Sequence, residues 1–210
     1  MTESRRAVIH TIGHSSHSLE TLLSLLRGAE VTAVCDVRSQ PYSRLHPHFG
    51  RERLRDALRD AGMAYVFLGK ELGGRAGDAS CYLDGQIQYD RVAQTATFRQ
   101  GLDRVLEGAR SYRVTLLCAE KDPLQCHRTL LVARQLAAGG AEVQHILANG
   151  SLESQDQADA RLLAELGMTS DMFRSRSETI DEAYRRRAAA VAYRLPAADE
   201  KSAARADAAR

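Results

Sequence analysis

The sequence predicts an α/β domain, Rossmann-like and doubly wound, with a mostly parallel five-stranded sheet, helices on both faces and a helical C-terminal extension. Three observations lead there. Short apolar runs alternate with amphipathic stretches of helical period along the first 150 residues, which is the pattern of strand–helix–strand crossovers. The runs at 31–37 and 114–118 are nearly continuous apolar stretches rather than alternating ones, as expected of strands covered on both faces. A length of 210 residues, 44% hydrophobic and 27% charged, suits one ordinary domain that buries its own core, with an appended tail.

Residues 7–12 read as the first strand, ending in Gly13, His14 and Ser15. Leu19, Leu22, Leu23 and Leu26 then share one face of a helix. Ser18 is placed to cap that helix and Gly28 to stop it. The second strand is 31–37, followed by a polar loop over 38–47. Leu54, Ala57, Leu58 and Ala61 mark a second helix closed by Gly62, and 63–68 is the third strand. Residues 69–88 offer few core candidates and read as a long surface loop, a kind of segment that often serves function. A helical pattern covers 89–110 with a break near Thr97. The fourth strand is 114–118, a loop spans 119–125, a helix runs from Cys126 to Gly139, and 142–147 is the fifth strand. Stretches 152–166 and 178–193 read as helices. The division that follows is a core domain over 1–150, a helical extension over 151–195 packed on it, and a tail over 196–210. The tail lacks large apolar residues and is expected to be disordered. The expected strand order is 3-2-1-4-5, which places a ligand crevice at the carboxyl ends of the central strands.

Composition narrows the function classes. With 29 basic and 27 acidic residues the net charge is only +2, which gives no electrostatic reason for nucleic-acid or membrane binding. No apolar run approaches the roughly 18 residues of a membrane span. The residues after Met1 lack a signal-peptide core, so the four cysteines read as thiols in a reducing cytoplasm. Lys70, Lys121 and Lys201 are the only lysines. Arginine, which makes flat two-pronged contacts to phosphate and carboxylate, supplies the rest of the positive charge.

The candidate site residues gather where three strands end. Gly13 and Ser15 lie in the first strand-to-helix turn, where a close backbone and free helix-start amides suit an anion. His14 beside them is either a general acid or base or a residue that caps its own turn. The glycine-rich dinucleotide fingerprint and the phosphate-loop lysine motif are both missing, so the cofactor, if any, stays unassigned. Asp36 and Arg38 are one residue apart on one side of the second strand. They are either a structural ion pair, or a base and an anion ligand. Arg44 follows in the polar loop, and His46 with His48 forms no more than a superficial metal pair. Gly73, Gly74 and Arg75 suggest a flexible lid that carries an arginine, or a plain turn. The Arg51, Arg53, Arg55 and Arg59 cluster reads as a solvated helix face.

The densest segment is 118–128, with Cys118, Glu120, Lys121, Cys126, His127 and Arg128. Cys118 closes a buried strand. Cys126 sits at an expected helix start beside His127 and Arg128, a setting that lowers a thiol pKa. It is either a reactive nucleophile or a packing residue. Glu120 is a candidate acid or base, and Lys121, His127 and Arg128 are candidate anion ligands. Two cysteines separated by seven residues are not a zinc or thioredoxin signature.

Taken in order, the segments Thr11 to Ser15, Asp36 to Pro41, Leu72 to Arg75 and Cys118 to Arg128 resemble the family catalogued as domain of unknown function 488. The turn at Gly150, Ser151 and Leu152 and the later pairs Ala183–Tyr184 and Ala192–Tyr193 are similar to it too. The resemblance spans roughly residues 7 to 195. It implies a compact α/β domain and supplies no activity. The residues at the strand ends, with no cofactor motif among them, point to an enzyme, a hydrolase or group transferase, acting on a small anionic substrate such as a nucleotide or phosphorylated metabolite. The alternatives are a non-catalytic ligand-sensing or nucleic-acid-associated module, and a metal-dependent enzyme using His14 with Cys118, Cys126 or His127.

Overall fold

The computed structural model describes residues 6–42, 44–169 and 174–196. Its strands are β1 (Val8–Gly13), β2 (Ala33–Asp36), β3 (Ala64–Phe67), β4 (Tyr82–Leu83), β5 (Gln86–Ile87), β6 (Val114–Cys118), β7 (Glu142–Ile146) and β8 (Leu152–Ser154). Its α-helices are α1 (Leu19–Gly28), α2 (Arg51–Asp60), α3 (Gly69–Leu72), α4 (Tyr89–Ala93), α5 (Ala96–Gly108), α6 (Arg134–Ala138), α7 (Gln155–Glu165) and α8 (Arg176–Val191). A π-helical segment, Arg128–Ala133, runs directly into α6.

Six strands form the main sheet in the order β3-β2-β6-β1-β7-β8. All its pairings are parallel except β7 with β8, which is antiparallel. The α/β class and the helices on both faces agree with the sequence; the strand order and number do not. In the numbering of the five expected strands the observed order is 3-2-4-1-5, because β6 lies between β2 and β1. The apolar runs of β1 and β6 are both buried throughout their inner positions, so hydrophobicity alone does not say which neighbours β2. Residues 152–154, expected to open a helix, instead add an edge strand. The helix begins at Gln155, where Ser154 and Gln157 form a reciprocal capping box.

The sheet separates two apolar layers. Ile12, Val34, Leu117 and Ile146 face Leu22 and Leu26 of α1 and Leu54 and Leu58 of α2. Ile9, Cys35, Leu116 and Val143 face the π-segment, α5, α7 and α8, with Phe98, Leu131, Leu162 and Tyr184. The alternation of Val34 with Cys35 and of Leu116 with Leu117 is the period-two signature of strands buried on both sides. Each fully buried leucine contributes roughly 1.5–3 kcal/mol, whereas a cap such as Ser18, which accepts from the Thr21 amide, is worth about 1 kcal/mol. Burial of two leucines on each helix therefore dominates in docking α1 and α2.

The stretch 69–88 is more structured than a surface loop. Leu72, Cys81 and Ile87 are fully buried there, and the short hairpin β4–β5 forms within it. Two of its glycines permit close approach. A Cβ on Gly73 would lie 2.4 Å from the Ser39 hydroxyl, and one on Gly74 would lie 2.9 Å from the His127 ring. The helix expected over 89–110 is two helices, broken at Thr95, whose side chain accepts the Phe98 amide. Residues 197–210 of the expected tail lie outside the described residues. Among the described residues no helix is long and apolar enough to cross a membrane.

Placement of the site follows from β1 and β6 being neighbours. The chain leaves β1 for α1 on one face and leaves β6 for the π-segment on the other. Two adjacent carboxyl ends thus diverge, which opens a cleft there. In register, Gly13 pairs with Cys118. A Cβ on Gly13 would sit 1.8 Å from the Glu120 carbonyl oxygen and 2.6 Å from the Arg128 guanidinium. Gly13→Ala is expected to destabilise the protein by about 3 kcal/mol or more through this overpacking. Gly28→Ala, with nothing within 4 Å of the added methyl, should be neutral or stabilising by up to about 1 kcal/mol. Urea denaturation of the two variants checks the pair; equal midpoints would contradict the packing described.

Candidate functional site

A cleft of about 520 Å³ lies at the carboxyl ends of β1, β2 and β6, lined by His14, Ser15, Ser16, Arg38, Gln40, Tyr42, His46, Ala119, Glu120 and Lys121. This volume suits a small molecule. Three separate stretches of chain meet there: the turn after β1, the loop after β2 and the loop after β6.

The turn after β1 is tied to the loop after β6 by two backbone bonds. The His14 amide donates to the Cys118 carbonyl at 2.9 Å and the Ser15 amide to the Ala119 carbonyl at 2.8 Å. These two amides are therefore committed to the sheet and do not serve an anion, as the sequence had suggested. Ser15 takes a left-handed conformation, φ 49°, which turns the chain out of the strand. Gly13 is required for packing against the loop after β6, and it does not line the cleft.

His14 is almost wholly buried, at 4% exposure. Its Nδ1 donates to the Ser15 carbonyl at 2.9 Å, since a carbonyl can only accept. Its ring lies against Phe49 with centroids 4.3 Å apart. Burial is the main cause that pushes its pKa down to about 4. The Ser15 carbonyl opposes that shift and nearby Arg38 adds to it. The imidazole is neutral at pH 7, with the proton on Nδ1 and the lone pair on Nε2.

Asp36 is fully buried and Arg38 is 5% exposed. Asp36 Oδ1 accepts from the Arg38 amide at 3.1 Å and from its Nε at 2.9 Å; Oδ2 accepts from Nη2 at 2.6 Å. The Tyr65 hydroxyl also donates to Oδ2 at 2.8 Å. With both oxygens engaged and no face on the cleft, Asp36 positions Arg38. Burial opposes the arginine's charge, but the Asp36 bonds and charge outweigh it and raise the Arg38 pKa. Nη1 donates to the Phe49 carbonyl at 2.9 Å. These bonds occupy three of the guanidinium's five N–H groups, so donor capacity remains toward the cleft.

The loop after β6 hangs on Arg128, which is completely buried. Its Nη1 donates to the Glu120 carbonyl at 2.5 Å and Nη2 to the Lys121 carbonyl at 3.2 Å. Expected as an anion ligand, Arg128 is instead the clamp that shapes the wall carrying Glu120 and Lys121. Lys121 is exposed and lines the cleft. Glu120 is exposed as a residue, yet its Oε2 turns inward and accepts from the Cys118 and Cys126 thiols, each at 3.0 Å. Burial alone would raise its pKa; the two thiol bonds and His127 outweigh that and lower it, so Glu120 is ionised at neutral pH.

Cys126 does not have the environment of an activated thiol. It is 2% exposed, lies outside the cleft lining, and burial, with Cys118 beside it, pushes its pKa well up. His127 turns both ring nitrogens inward. Nε2 donates to the Val37 carbonyl at 2.9 Å, and Nδ1 lies 3.7 Å from the Cys118 sulfur and 3.9 Å from that of Cys126. Burial alone would lower its pKa, but Cys126, the Val37 carbonyl and Glu120 together raise it. Among the described residues, Cys118, Cys126 and His127 form the group whose donor atoms lie within 4.8 Å of one another. His14 is not part of it, which separates the histidine from the cysteines with which it was grouped as a metal set.

Arg44 is exposed on its loop and outside the cleft lining. Arg75 reaches away from it, with its guanidinium 4.1 Å over the Tyr193 ring. On α2, Arg55 and Arg59 pair with Asp56 and Asp60, Arg51 covers Phe67, and Arg53 is exposed. Sequence reasoning did not single out Gln40, Tyr42 or Phe49. Tyr42, 72% exposed at the cleft mouth, is legible only as an aromatic in a polar loop. Phe49 gives no signal beyond its apolarity.

The family model described as Domain of unknown function DUF488 matches residues 18–135, more than half of the chain. No curated protein and no solved structure matches the chain. Gly13, His14 and Ser15 lie just ahead of the matched residues.

Two outcomes follow from the ionisations. The unfolded chain takes up a proton on His14 near the ordinary histidine value of 6.5, while the folded chain resists it to about 4; His145, lowered to about 3 chiefly by burial, behaves alike. Stability should therefore be full above pH 6.5 and decline as pH falls through that window. The His14 share is about 3 kcal/mol by pH 4. His14→Phe should flatten this part of the decline in urea titrations run from pH 7 to 4, and an unchanged pH dependence would contradict the burial of a neutral ring. Cys126 should react with iodoacetamide at pH 7 far more slowly than a free thiol. A rate equal to or above that of a free thiol would restore the activated form.

Proposed function

The chain belongs to the domain of unknown function DUF488 family, and from the chemistry of its cleft we propose that it is an enzyme, a hydrolase or group transferase, acting on a small anionic substrate such as a nucleotide or a phosphorylated metabolite. The observation that carries this reading is a neutral histidine with a fixed tautomer beside two cations in one cleft of substrate size. His14 keeps Nδ1–H on the Ser15 carbonyl, so Nε2 is the basic atom. Arg38 and Lys121 line the same cleft.

In this reading the remaining Arg38 N–H groups and the Lys121 ammonium hold the anionic group. His14 Nε2 removes a proton from the attacking water or hydroxyl, and returns it to the departing group. A base protonated only near pH 4 is fully available at neutral pH, although weaker than one poised near 7. Glu120, held ionised by the two thiols, accepts a hydrogen bond from a substrate or nucleophile hydroxyl. The hydroxyls of Ser15 and Ser16 and the amide of Gln40 provide neutral polar contacts around it. Asp36, Arg128 and His127 position these groups and do not touch the substrate. The four cysteines are free thiols, which supports a reducing, cytoplasmic setting.

Each charge-assisted hydrogen bond to the anion is worth on the order of 1.5–3 kcal/mol. In calorimetric titrations with pyrophosphate and nucleoside mono- and diphosphates at low salt, Lys121→Ala should weaken binding about tenfold. His14→Gln should leave binding nearly intact while it lowers turnover of the accepted substrate on the order of a hundredfold. Absence of binding across the anion panel at millimolar concentration would overturn the reading, and binding with no turnover would reduce it to a ligand sensor.

A further inference from the structure

Beneath the cleft lies a second constellation whose side chains do not touch the substrate in the proposed reaction. Cys118 and Cys126 are each 2% exposed, and both thiols donate to the same oxygen of Glu120. The His127 Nδ1 faces both sulfurs at 3.7 and 3.9 Å. All three donor atoms lie within 4.8 Å of one another. We propose that Cys118, Cys126 and His127 form a binding site for a soft divalent cation, zinc in the first instance, with its remaining coordination position on the side of Glu120 and the cleft.

Distance, orientation and charge each support this. In a tetrahedral zinc site, with Zn–S near 2.3 Å and Zn–N near 2.0–2.1 Å, the sulfur–nitrogen edge is roughly 3.5 Å. The observed separations exceed that by only a few tenths of an ångström. The ring is held as a ligand ring needs to be: Nε2 donates to the Val37 carbonyl, the kind of outer contact that fixes the tautomer and aims the other nitrogen. Gly74 packs so closely on the ring that a Cβ would come within 2.9 Å of Cγ. The Arg128 amide donates to the Cys126 sulfur at 3.4 Å, a contact that favours a thiolate. Two thiolates neutralise a divalent ion, so a buried site carries no net charge from these three ligands. Binding is a proton-for-metal exchange: two S–H bonds break, two metal–sulfur bonds form, and at least two protons leave, with no electron transfer. Glu120 lines the cleft and touches both sulfurs, so the ion reaches the site past its carboxylate.

This inference does not depend on which substrate fills the cleft. The test uses the full chain, reduced and stripped with a chelator, titrated with cobalt(II) and then with zinc(II). Expected are one equivalent of cobalt with a thiolate-to-metal charge-transfer band and the strong visible absorption of tetrahedral cobalt. Displacement by zinc and release of at least two protons per ion should follow. Cys118→Ser and Cys126→Ser should each weaken cobalt binding by about a hundredfold or more, whereas Cys35→Ser and Cys81→Ser leave it unchanged. If the cluster serine variants do not fold, the intensity of the charge-transfer band in the wild-type protein still reports whether two sulfurs ligate. Absence of that band, its persistence in the cluster variants, or a Cys118–Cys126 disulfide as the stable state under reducing buffer would each overturn the proposal.

Discussion

The fully buried guanidinium of Arg128 organises the cleft end of this protein. Arg128 is sealed from solvent, and its terminal nitrogens hold the carbonyls of Glu120 and Lys121. A charge in that position is costly unless hydrogen bonded, so the loop after β6 is drawn in around it. Gly13 is the other half of the arrangement, because any side chain there would collide with the Glu120 carbonyl and with Arg128 itself. The clamp brings the end of β6 against the end of β1, where the amides of His14 and Ser15 complete the contact. The cleft, its cations and the thiol cluster beneath it all inherit their placement from this one junction.

Around the clamp, charges are partitioned by burial. The Asp36–Arg38 pair is internal and fully bonded on its acidic side, so the carboxylate holds the guanidinium in place and leaves part of it available to the cleft. Truncating either partner of such a pair leaves an uncompensated buried charge, commonly a loss of 3–5 kcal/mol. That makes the pair a poor place to probe ligand binding, and the exposed Lys121 a better one. His14, stacked on Phe49 and buried, is neutral, whereas Glu120 is ionised because two thiols donate to it. The lower cluster of Cys118, Cys126 and His127 shares Glu120 with the cleft, so the two layers are joined by one carboxylate.

Much of this was legible in the sequence, for identifiable reasons. The parallel strands announce themselves as continuous apolar runs, and α1 and α2 as leucines at helical spacing, because those periods are imposed by burial. The residues at the strand ends could be named because a doubly wound sheet brings those ends to one rim. Strand order could not be read, since β1 and β6 are equally apolar and the crossovers are long enough for either arrangement. The role of Gly73 and Gly74 was hidden too: it depends on contact with Ser39 and His127, which are distant in sequence. The same holds for Arg128 and Asp36. Their residue types suit a ligand, and only the partners supplied by the fold show that they act on the protein itself. Cys126 was misleading in a similar way, because proximity to His127 and Arg128 suggests activation while its burial among thiols opposes it.

The floor of the cleft is built into the native fold rather than assembled by a ligand. Residue-resolved amide hydrogen exchange on the ligand-free protein tests it most directly at His14 and Ser15. These amides should be protected to the same degree as those in the interior of β1 and β6, since all of them open only with the sheet. Exchange at His14 and Ser15 as fast as in the exposed loop around Arg44 and Leu45 would contradict the account.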